Sequence, residues 1–271
     1  MHIDVNGHPL YAYTGGKPYD PAQPTVVFIP GVLNDHSVWI LQSRHFAYHG
    51  WNVLAIDLPG QGRSHGTPPA SVEEAAQTVL APLDAVAAPR AALVGHSFGS
   101  LIALEAAARA PERVSHLVLC GTAFPMKVSP ALLDASVHAP EKAIHMVNVF
   151  SHSTLSPPPS ALGPGTWLYG ASRALMRRML ASNRDVNVFH TGFKACDDYA
   201  GGEKAMAAVQ CPTLFVIGAH DQMTPPKSAR ALARLAQKPP TVVEVNAGHA
   251  LMTEAPGAVL DALRSFLSAR P

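Results

Sequence analysis

The chain has 271 residues, of which 48% are hydrophobic and 14% are charged, and its formal net charge is +1. This composition excludes a largely disordered chain and allows a sizeable core. The near-zero charge gives no electrostatic basis for binding nucleic acid. No apolar stretch approaches the ~20 residues that cross a bilayer, no signal-peptide pattern is visible, and the three cysteines are widely spaced. We therefore expect a cytoplasmic protein with reduced thiols and no membrane partner.

Strand and helix patterns alternate along most of the chain. Two alternating runs, 2–5 and 10–13, are joined by Asn6-Gly7 and predict a hairpin. The predicted order after it is strand 25–30, helix 37–49, strand 52–56, helix 71–87, strand 91–94, helix 98–109, strand 114–119, strand 213–217, helix 226–237, strand 242–245 and helix 255–268. Ser71 and Glu74 form a capping-box pattern at one helix start. The alternation predicts an α/β fold with a mostly parallel, doubly wound sheet.

The alternation stops between residues 125 and 208, a segment called the insertion below. It contains a proline cluster at 156–160 and helical stretches near 130–151, 166–182 and 186–208. We predict a core formed by 1–124 and 209–271, with the insertion as a helical cap between two late strands. Such a cap predicts a lid over a ligand site. The alternative is a helical layer without functional motion.

A glycine–serine–glycine motif follows one of the predicted strands. In GHSFG, Ser97 lies between Gly95 and Gly99, after the strand 91–94 and before the helix 98–109. A strand-to-helix turn with this motif is the setting of a nucleophile elbow, which raises the serine hydroxyl above the sheet. The motif alone is weak, because a structural turn can carry a serine with no chemical role. A base, an acid and an oxyanion site are therefore also required.

A base and an acid can be placed at the same edge of the sheet. His249 follows the last predicted strand, and Asp221 follows the strand 213–217. Ligand sites of parallel sheets form at the carboxyl ends of the strands. Among the other histidines, His96 is adjacent to Ser97, and the elbow constrains it too strongly for it to turn back on that serine. We predict Ser97 as nucleophile, His249 as base and Asp221 as acid.

Two backbone N–H groups are predicted to form the oxyanion hole. Phe98 begins the helix after the elbow, so its N–H points toward charge that develops near Ser97. Gly31 follows the first long buried strand and lets the backbone pass close to the nucleophile, which makes the Val32 N–H the second donor. No histidine pair has helix spacing beside a carboxylate, so we predict no metal site.

The insertion supplies most of the candidate substrate-binding side chains. The candidates are Asn34, Met146, Trp167, Phe189, Phe193 and Tyr199. Phe189 and Phe193 are four residues apart on one helical stretch and should share a face, which could instead be buried in the core of the insertion. Because the predicted triad lies outside the insertion, we expect the insertion to determine substrate choice and not the chemistry. Asp197 and Asp198 are the alternative acids within it.

The chain resembles the α/β-hydrolase superfamily over nearly its whole length. The matching segments, in order, are IPGVLNDHSVW, DLPGQGRS, GHSFGS, GAHDQMTP and AGHALMTEAP. The order Ser, Asp, His along the chain is that of the superfamily. Pro30 departs from the pattern, since many members have histidine there, but the position is structural and the proposed oxyanion hole is unaffected.

The resemblance implies a serine esterase that forms an acyl-enzyme and needs no cofactor. The apolar and aromatic composition of the insertion favours a small-molecule substrate that is neutral or hydrophobic. Related machinery also serves lactones, thioesters, amides, C–C bonds and cofactor-free peroxidases, and some members with this fold are non-hydrolytic receptors. The oligomeric state, monomer or dimer, is left open by the sequence.

Overall fold

The apolar runs of the sequence form the central strands of a single sheet. The computed structural model describes residues 1–5, 7–153 and 167–268. The strands are β1 His2–Val5, β2 His8–Tyr13, β3 Thr25–Ile29, β4 Asn52–Ile56, β5 Ala91–His96, β6 Val114–Cys120, β7 Thr213–Gly218 and β8 Thr241–Val245. Their order in the sheet is β1-β2-β4-β3-β5-β6-β7-β8. β2 pairs antiparallel with β1 and β4, and the other pairs are parallel.

Helices fill most of the segments between the strands. They are α1 Ile40–Ala47, α2 Val72–Ala85, α3 Phe98–Arg109, α4 Pro130–His138, α5 Pro140–Ser151, α6 Leu168–Ala181, α7 Val188–Asp198, α8 Gly202–Ala208, α9 Pro226–Ala233, α10 Leu251–Glu254 and α11 Pro256–Leu267. Ser71 caps α2 by accepting a hydrogen bond from the Glu74 N–H, and the Glu74 carboxylate reaches back to the Ala70 N–H. In the described part of the chain, no helix combines the length and apolar character needed to cross a membrane.

Hydrophobic residues cover both faces of the sheet. Along β3, Val27 and Ile29 belong to a cluster with α2, α3 and α9, whereas Val26 and Phe28 belong to a second cluster with α1 and α11. The alternation follows from strand geometry, in which successive side chains point to opposite faces. Both faces are therefore covered, and the prediction of a mostly parallel, doubly wound α/β sheet is confirmed.

The insertion lies between β6 and β7 and contains α4 to α8. The helical stretch predicted near 130–151 contains two helices that meet at Ala139 and Pro140, and the stretch near 186–208 is divided after α7. α8 packs against α3 of the sheet layer, and Ala205 and Met206 join the cluster on that face. The last helix of the insertion is thus part of the core packing. The proline cluster at 156–160 lies outside the described residues.

Candidate active site

The backbone turns sharply at Ser97, between the end of β5 and the first residue of α3. Ser97 has φ 53° and ψ −119°, which is rare for a residue with a side chain. Its N–H donates to the Cys120 carbonyl at the end of β6, and its carbonyl accepts from the Ser100 N–H. The turn is therefore held on both sides and matches the strained geometry of a nucleophile elbow.

The two glycines of the motif are sterically required. A Cβ atom at Gly95 would lie 2.1 Å from the carbonyl oxygen of Gly99, and one at Gly99 would lie 2.4 Å from that of Ile29. Any side chain at either position would force the strand and the helix apart. These close approaches explain the glycine–serine–glycine spacing.

His249 and Asp221 form a buried hydrogen-bonded pair at the carboxyl ends of β7 and β8. His249 Nδ1–H donates to Asp221 Oδ2 over 2.8 Å, and both side chains are buried. Thr224 Oγ1 donates to the same oxygen over 2.7 Å and lies 3.2 Å from His249 Nδ1. With its Nδ1 proton held by the carboxylate, the imidazole presents Nε2 as an acceptor.

The carboxylate of Asp221 is stabilised in its charged form. Burial alone would raise the pKa of Asp221, but the neighbouring His249 and hydrogen bonds from His249 and Thr224 lower it below its ordinary value overall. The backbone N–H groups of Met223 and Thr224 also donate to Asp221 Oδ1. The result is a fixed negative charge behind the imidazole, suited to holding and stabilising a histidine that becomes protonated.

The other two candidate acids have separate partners in the insertion. Asp197 Oδ1 accepts from the Val128 N–H, and Asp198 forms an ion pair with Lys194 one helical turn earlier. The structure thus pairs His249 with Asp221 and leaves Asp197 and Asp198 in contacts at the surface of the insertion.

His96 is buried beside the site without reaching back to Ser97. Its Nε2–H donates to the His249 carbonyl over 2.9 Å, and the two imidazole rings lie 4.7 Å apart. Its Nδ1 is buried without a hydrogen-bond partner among the described residues. Burial, followed by repulsion from His249, lowers the pKa of His96 to about 3. His96 is therefore neutral and holds the backbone of the loop that carries His249.

The loop after β3 lies directly against the nucleophile. A Cβ atom at Gly31 would lie 3.1 Å from Ser97 Cβ and 3.1 Å from His96 Nδ1, so a side chain at this position would press on both residues. The next residue is Val32, whose side chain lines the same cavity as Ser97. Phe98 is the first residue of α3, and its N–H has no acceptor within the helix. Both predicted oxyanion donors thus lie next to Ser97 along the chain or in space.

A cavity of about 300 Å³ opens over Ser97 and His249, between the sheet and the insertion. The loop after β3, α5 to α7 and the loop with α10 supply its walls. The apolar side chains that line it are Val32, Val38, Val147, Leu168, Ala171, Ala174, Leu175, Met176, Phe193, Met223, Ala250 and Met252. Among the described lining residues, Arg178 has the only permanent charge. The cavity is therefore suited to a small apolar group with its reacting atom at Ser97.

Two of the six predicted substrate-binding residues, Asn34 and Phe193, line this cavity. Met146 and Phe189 do not appear among its described lining residues. They pack instead in or against the hydrophobic cluster inside the insertion, where Phe189 is fully buried. The i, i+4 spacing therefore places Phe189 and Phe193 in one cluster, but only Phe193 also reaches the cavity.

Trp167 and Tyr199 also do not line the cavity. Trp167 is 63% exposed, and its ring stacks on Tyr169. Tyr199 is buried and donates a 2.6 Å hydrogen bond to Glu105 of α3, so it ties the end of α7 to the core. The prediction for these two residues is corrected: Tyr199 attaches the insertion to the core, and the Trp167 ring lies at the surface.

Sequence reasoning missed two polar residues that support the site. Thr224 bonds Asp221, as described above. Glu254 of α10 accepts hydrogen bonds of 2.7 Å from the Gly248 N–H, next to His249, and from the Ser153 N–H and hydroxyl of the insertion. Both lie within motifs that carry the triad, but their roles depend on which groups the fold brings opposite them.

Asp35, His36 and Asp57 form a second ionisable cluster, with ligand-type atoms within 4.8 Å of one another. Asp57 Oδ1 accepts from the N–H and Nδ1–H of His36, and Asp57 Oδ2 accepts from the Arg63 N–H. The protein's own donors thus occupy this carboxylate, as expected of a group that holds two loops together.

An α/β sheet with a strained serine, a histidine–carboxylate pair and an apolar cavity at its carboxyl edge is the arrangement of a hydrolytic enzyme class. The model of the Alpha/beta hydrolase family matches residues 26–262. This match covers most of the 271 residues. The chain belongs to the alpha/beta hydrolase family.

Similar proteins include hydrolases with several names. RutD of Klebsiella pneumoniae (strain 342), provisionally named a carbamate hydrolase, is 29% identical over 78% of this chain and 79% of its own length. The pimeloyl-[acyl-carrier protein] methyl ester esterase of Neisseria meningitidis (serogroup C, strain FAM18) is 29% identical over 74% and 77%.

Solved structures agree on the fold. A thermophilic esterase matches with a TM-score of 0.79 and 26% identity over 98% of this chain and 96% of its own. The enol-lactonase from Burkholderia xenovorans LB400 matches with a TM-score of 0.81 and 23% identity over 99% and 100%. The similarity to the enol-lactonase concerns the fold alone.

Proposed function

We propose that this chain is a serine hydrolase that cleaves a carboxylic ester or a related acyl compound with Ser97, His249 and Asp221. The observation that carries the proposal is the buried 2.8 Å hydrogen bond from His249 to Asp221, at a cavity that Ser97 also lines. The names of the relatives support it, since carbamates and methyl esters are both cleaved at a carbonyl carbon.

In the proposed reaction, Ser97 Oγ attacks the substrate carbonyl while His249 Nε2 takes its proton. The carbonyl oxygen becomes an oxyanion, which the N–H groups of Val32 and Phe98 bind. Collapse of this intermediate expels the alcohol, which leaves with the proton from His249, and an acyl-enzyme remains. Water then attacks the acyl group with His249 again as base, releasing the acid and restoring Ser97.

The cavity supports a neutral or hydrophobic substrate of modest size. Its volume of about 300 Å³ is at the lower end of the usual range of ligand pockets, about 300–1,000 Å³. Its apolar walls contribute binding energy through burial of hydrocarbon. Short and medium acyl esters should therefore be better substrates than long-chain lipids.

The test combines a fluorophosphonate probe with a panel of chromogenic esters of graded acyl length. The intact protein should be labelled at Ser97, located by mass spectrometry, and Ser97→Ala should lose turnover by several orders of magnitude. Ser172→Ala is the matched control, because Ser172 also lines the cavity and should leave labelling in place.

An adduct at another residue, or none on the folded protein, would disprove the nucleophile assignment. Labelling at Ser97 without turnover of any ester would instead favour the non-hydrolytic receptor.

A further inference from the structure

We propose that Leu33 is a positioning residue for the oxyanion hole, which it holds in place by burying its side chain in the hydrophobic cluster of the insertion. This inference rests on the proposed function. It extends that function by giving the insertion a part in the chemical step as well as in substrate choice.

The backbone at Leu33 is strained. Leu33 has φ 54°, a left-handed conformation that is unfavourable for a residue with a Cβ atom. Leucine has no polar group that could form a compensating local hydrogen bond, as asparagine or aspartate would. Strained residues of this kind persist only where the surrounding structure holds them. Leu33 directly follows Val32, whose N–H is the proposed oxyanion donor, so the strain lies at the functional turn.

Burial of the Leu33 side chain offsets this strain. The side chain is 0% exposed, although it belongs to a loop at the edge of the sheet. The other buried members of its hydrophobic cluster all come from the insertion: Leu132, Ala135, Ala143, Ile144, Met176, Met179, Val188, Phe189 and Phe193. Burying a leucine stabilises a conformation by an amount similar to the cost of one strained residue. The insertion thus supplies the free energy that keeps the loop in its turn.

Two further contacts join the same loop to the insertion. A Cβ atom at Gly192 of α7 would lie 3.0 Å from Val32 Cγ2, so the backbone of α7 packs directly on the donor residue. Arg178 of α6 donates to Asp35 Oδ2 over 2.7 Å. Burial opposes ionisation of Asp35, but hydrogen bonds from Ser37 and Arg178 lower its pKa overall, so this is an ion pair. The loop is fixed from the insertion at Val32, Leu33 and Asp35.

This arrangement predicts a kinetic effect that simple core packing does not. A displaced Val32 N–H weakens binding of the oxyanion in the transition state but leaves the neutral ground-state ester largely unaffected. Substitutions of Leu33 or Gly192 should therefore lower kcat with little change in KM. They should do so equally for short and long acyl groups.

The experiment compares Leu33→Ala, Leu33→Gly and Leu33→Met with the wild type at a temperature well below every melting point. Leu33→Ala keeps the strain and loses the burial, so kcat should fall about 100-fold, toward the 10²–10³-fold loss typical of a missing oxyanion donor. Leu33→Gly loses the same burial but removes the strain, and its kcat should fall only about 10-fold. Leu33→Met keeps the buried volume and should recover most of the kcat.

Two further measurements separate positioning from stability. Affinity for a boronic acid inhibitor, which forms a tetrahedral adduct, should fall in parallel with kcat, while KM stays within about threefold. Gly192→Ala tests the idea from the insertion and remains informative if a Leu33 variant fails to fold. Its added methyl group presses on Val32 and should lower kcat about 10-fold for all acyl lengths.

Lower melting points with unchanged kcat, or a Leu33→Gly variant less active than Leu33→Ala, would overturn the proposal. So would an effect confined to long or to short esters. A wild type without ester turnover or Ser97 labelling is a different result, because it would defeat the proposed function itself and this inference with it.

Discussion

Ser97 and Leu33 both have a positive φ, 53° and 54°, which residues with a side chain rarely adopt. They follow β5 and β3, which are neighbours in the sheet. In the described part of the chain, two of the three non-glycine residues with positive φ thus lie where a nucleophile and an oxyanion donor are proposed to meet; the third is Ala87, after α2. At the scale of single residues, the site therefore depends on strained backbone positions that buried contacts hold in place.

Replacement of Asp221 by asparagine tests the role of the buried charge. Asp221→Asn keeps the size of the side chain but removes the negative charge that orients His249, so kcat should fall about 10⁴-fold, as in a comparable triad. Ester turnover and a melting curve are the measurements, and Asp198→Asn is the control at the surface. Near-wild-type turnover in Asp221→Asn would show that another group supplies the acid.

His96 should make the folded protein sensitive to acid. An unfolded histidine titrates near pH 6.5, at about its unperturbed pKa, whereas burial lowers the pKa of His96 to about 3 in the folded chain. Between these values the unfolded chain binds the extra proton. The stability that the neutral, buried His96 contributes is therefore complete above about pH 6.5 and is lost as the pH falls. At pH 5 the loss in the free energy of unfolding is roughly 2 kcal/mol.

Urea unfolding at pH 7 and pH 5 checks this contribution. Between pH 7 and pH 5, the free energy of unfolding of His96→Gln should fall by about 2 kcal/mol less than that of the wild type. His138→Gln provides the control, since the His138 side chain is 72% exposed, and it should follow the wild type. Identical pH dependence for His96→Gln and the wild type would contradict the argument.

At the scale of elements, two aromatic side chains of α7 have different roles. The rings of Phe189 and Phe193 lie 5.1 Å apart in the insertion, but only Phe193 lines the cavity. Phe193→Ala enlarges the pocket, so the ratio of kcat/KM for long over short acyl esters should rise by about 10-fold, the scale of one hydrophobic contact. Phe189→Ala is the control and should lower stability by about 3–5 kcal/mol without altering that ratio.

A uniform decrease for all esters in Phe193→Ala, together with a lower melting point, would assign Phe193 to the core alone. The same measurement thus distinguishes a pocket wall from a packing residue.

The sequence was most informative where structure depends on local pattern. The apolar runs identified the sheet strands, the Ser71 cap was found from its spacing, and the fold class followed from the alternation. It was less informative where a role depends on a distant partner. The sequence predicts a pocket role for Tyr199, because no local pattern indicates its carboxylate partner, Glu105, which is 94 residues away. Leu33 gave no signal, because the strain and burial of a loop leucine depend on the insertion folding over it.

On the scale of the whole molecule, hydrogen bonds connect the insertion to three loops at the sheet edge. Asn183 Nδ2 donates to the Gly60 carbonyl, Arg178 donates to Asp35, and Ser153 donates to Glu254. Glu254 also accepts from the Gly248 N–H, so one carboxylate joins the insertion to the loop of the proposed base. The described part of the insertion is therefore attached at several points around the cavity.

Replacing Glu254 by glutamine tests this attachment. The amide nitrogen cannot accept a hydrogen bond, so at least one of the three donors should lose its partner, at a cost of about 1–3 kcal/mol for a buried group. We expect a lower melting point and a lower kcat, because the His249 loop is released. Glu203→Gln, on the exposed face of α8, is the matched control. Unchanged melting point and kcat in Glu254→Gln would argue against the attachment.

The place of Leu33 inside the hydrophobic cluster of the insertion also bears on how this enzyme could be re-engineered. Consider a chimera in which residues 125–208 alone are replaced by those of a relative. The side chains around Leu33 would then come from the relative, and they would either leave a void beside Leu33 or clash with it. Transplantation should therefore succeed only when the segment 30–35 is carried over with the insertion. By the same reasoning, substitutions in residues 30–35 and in residues 125–208 should occur together among homologues, although the two segments are far apart in the sequence.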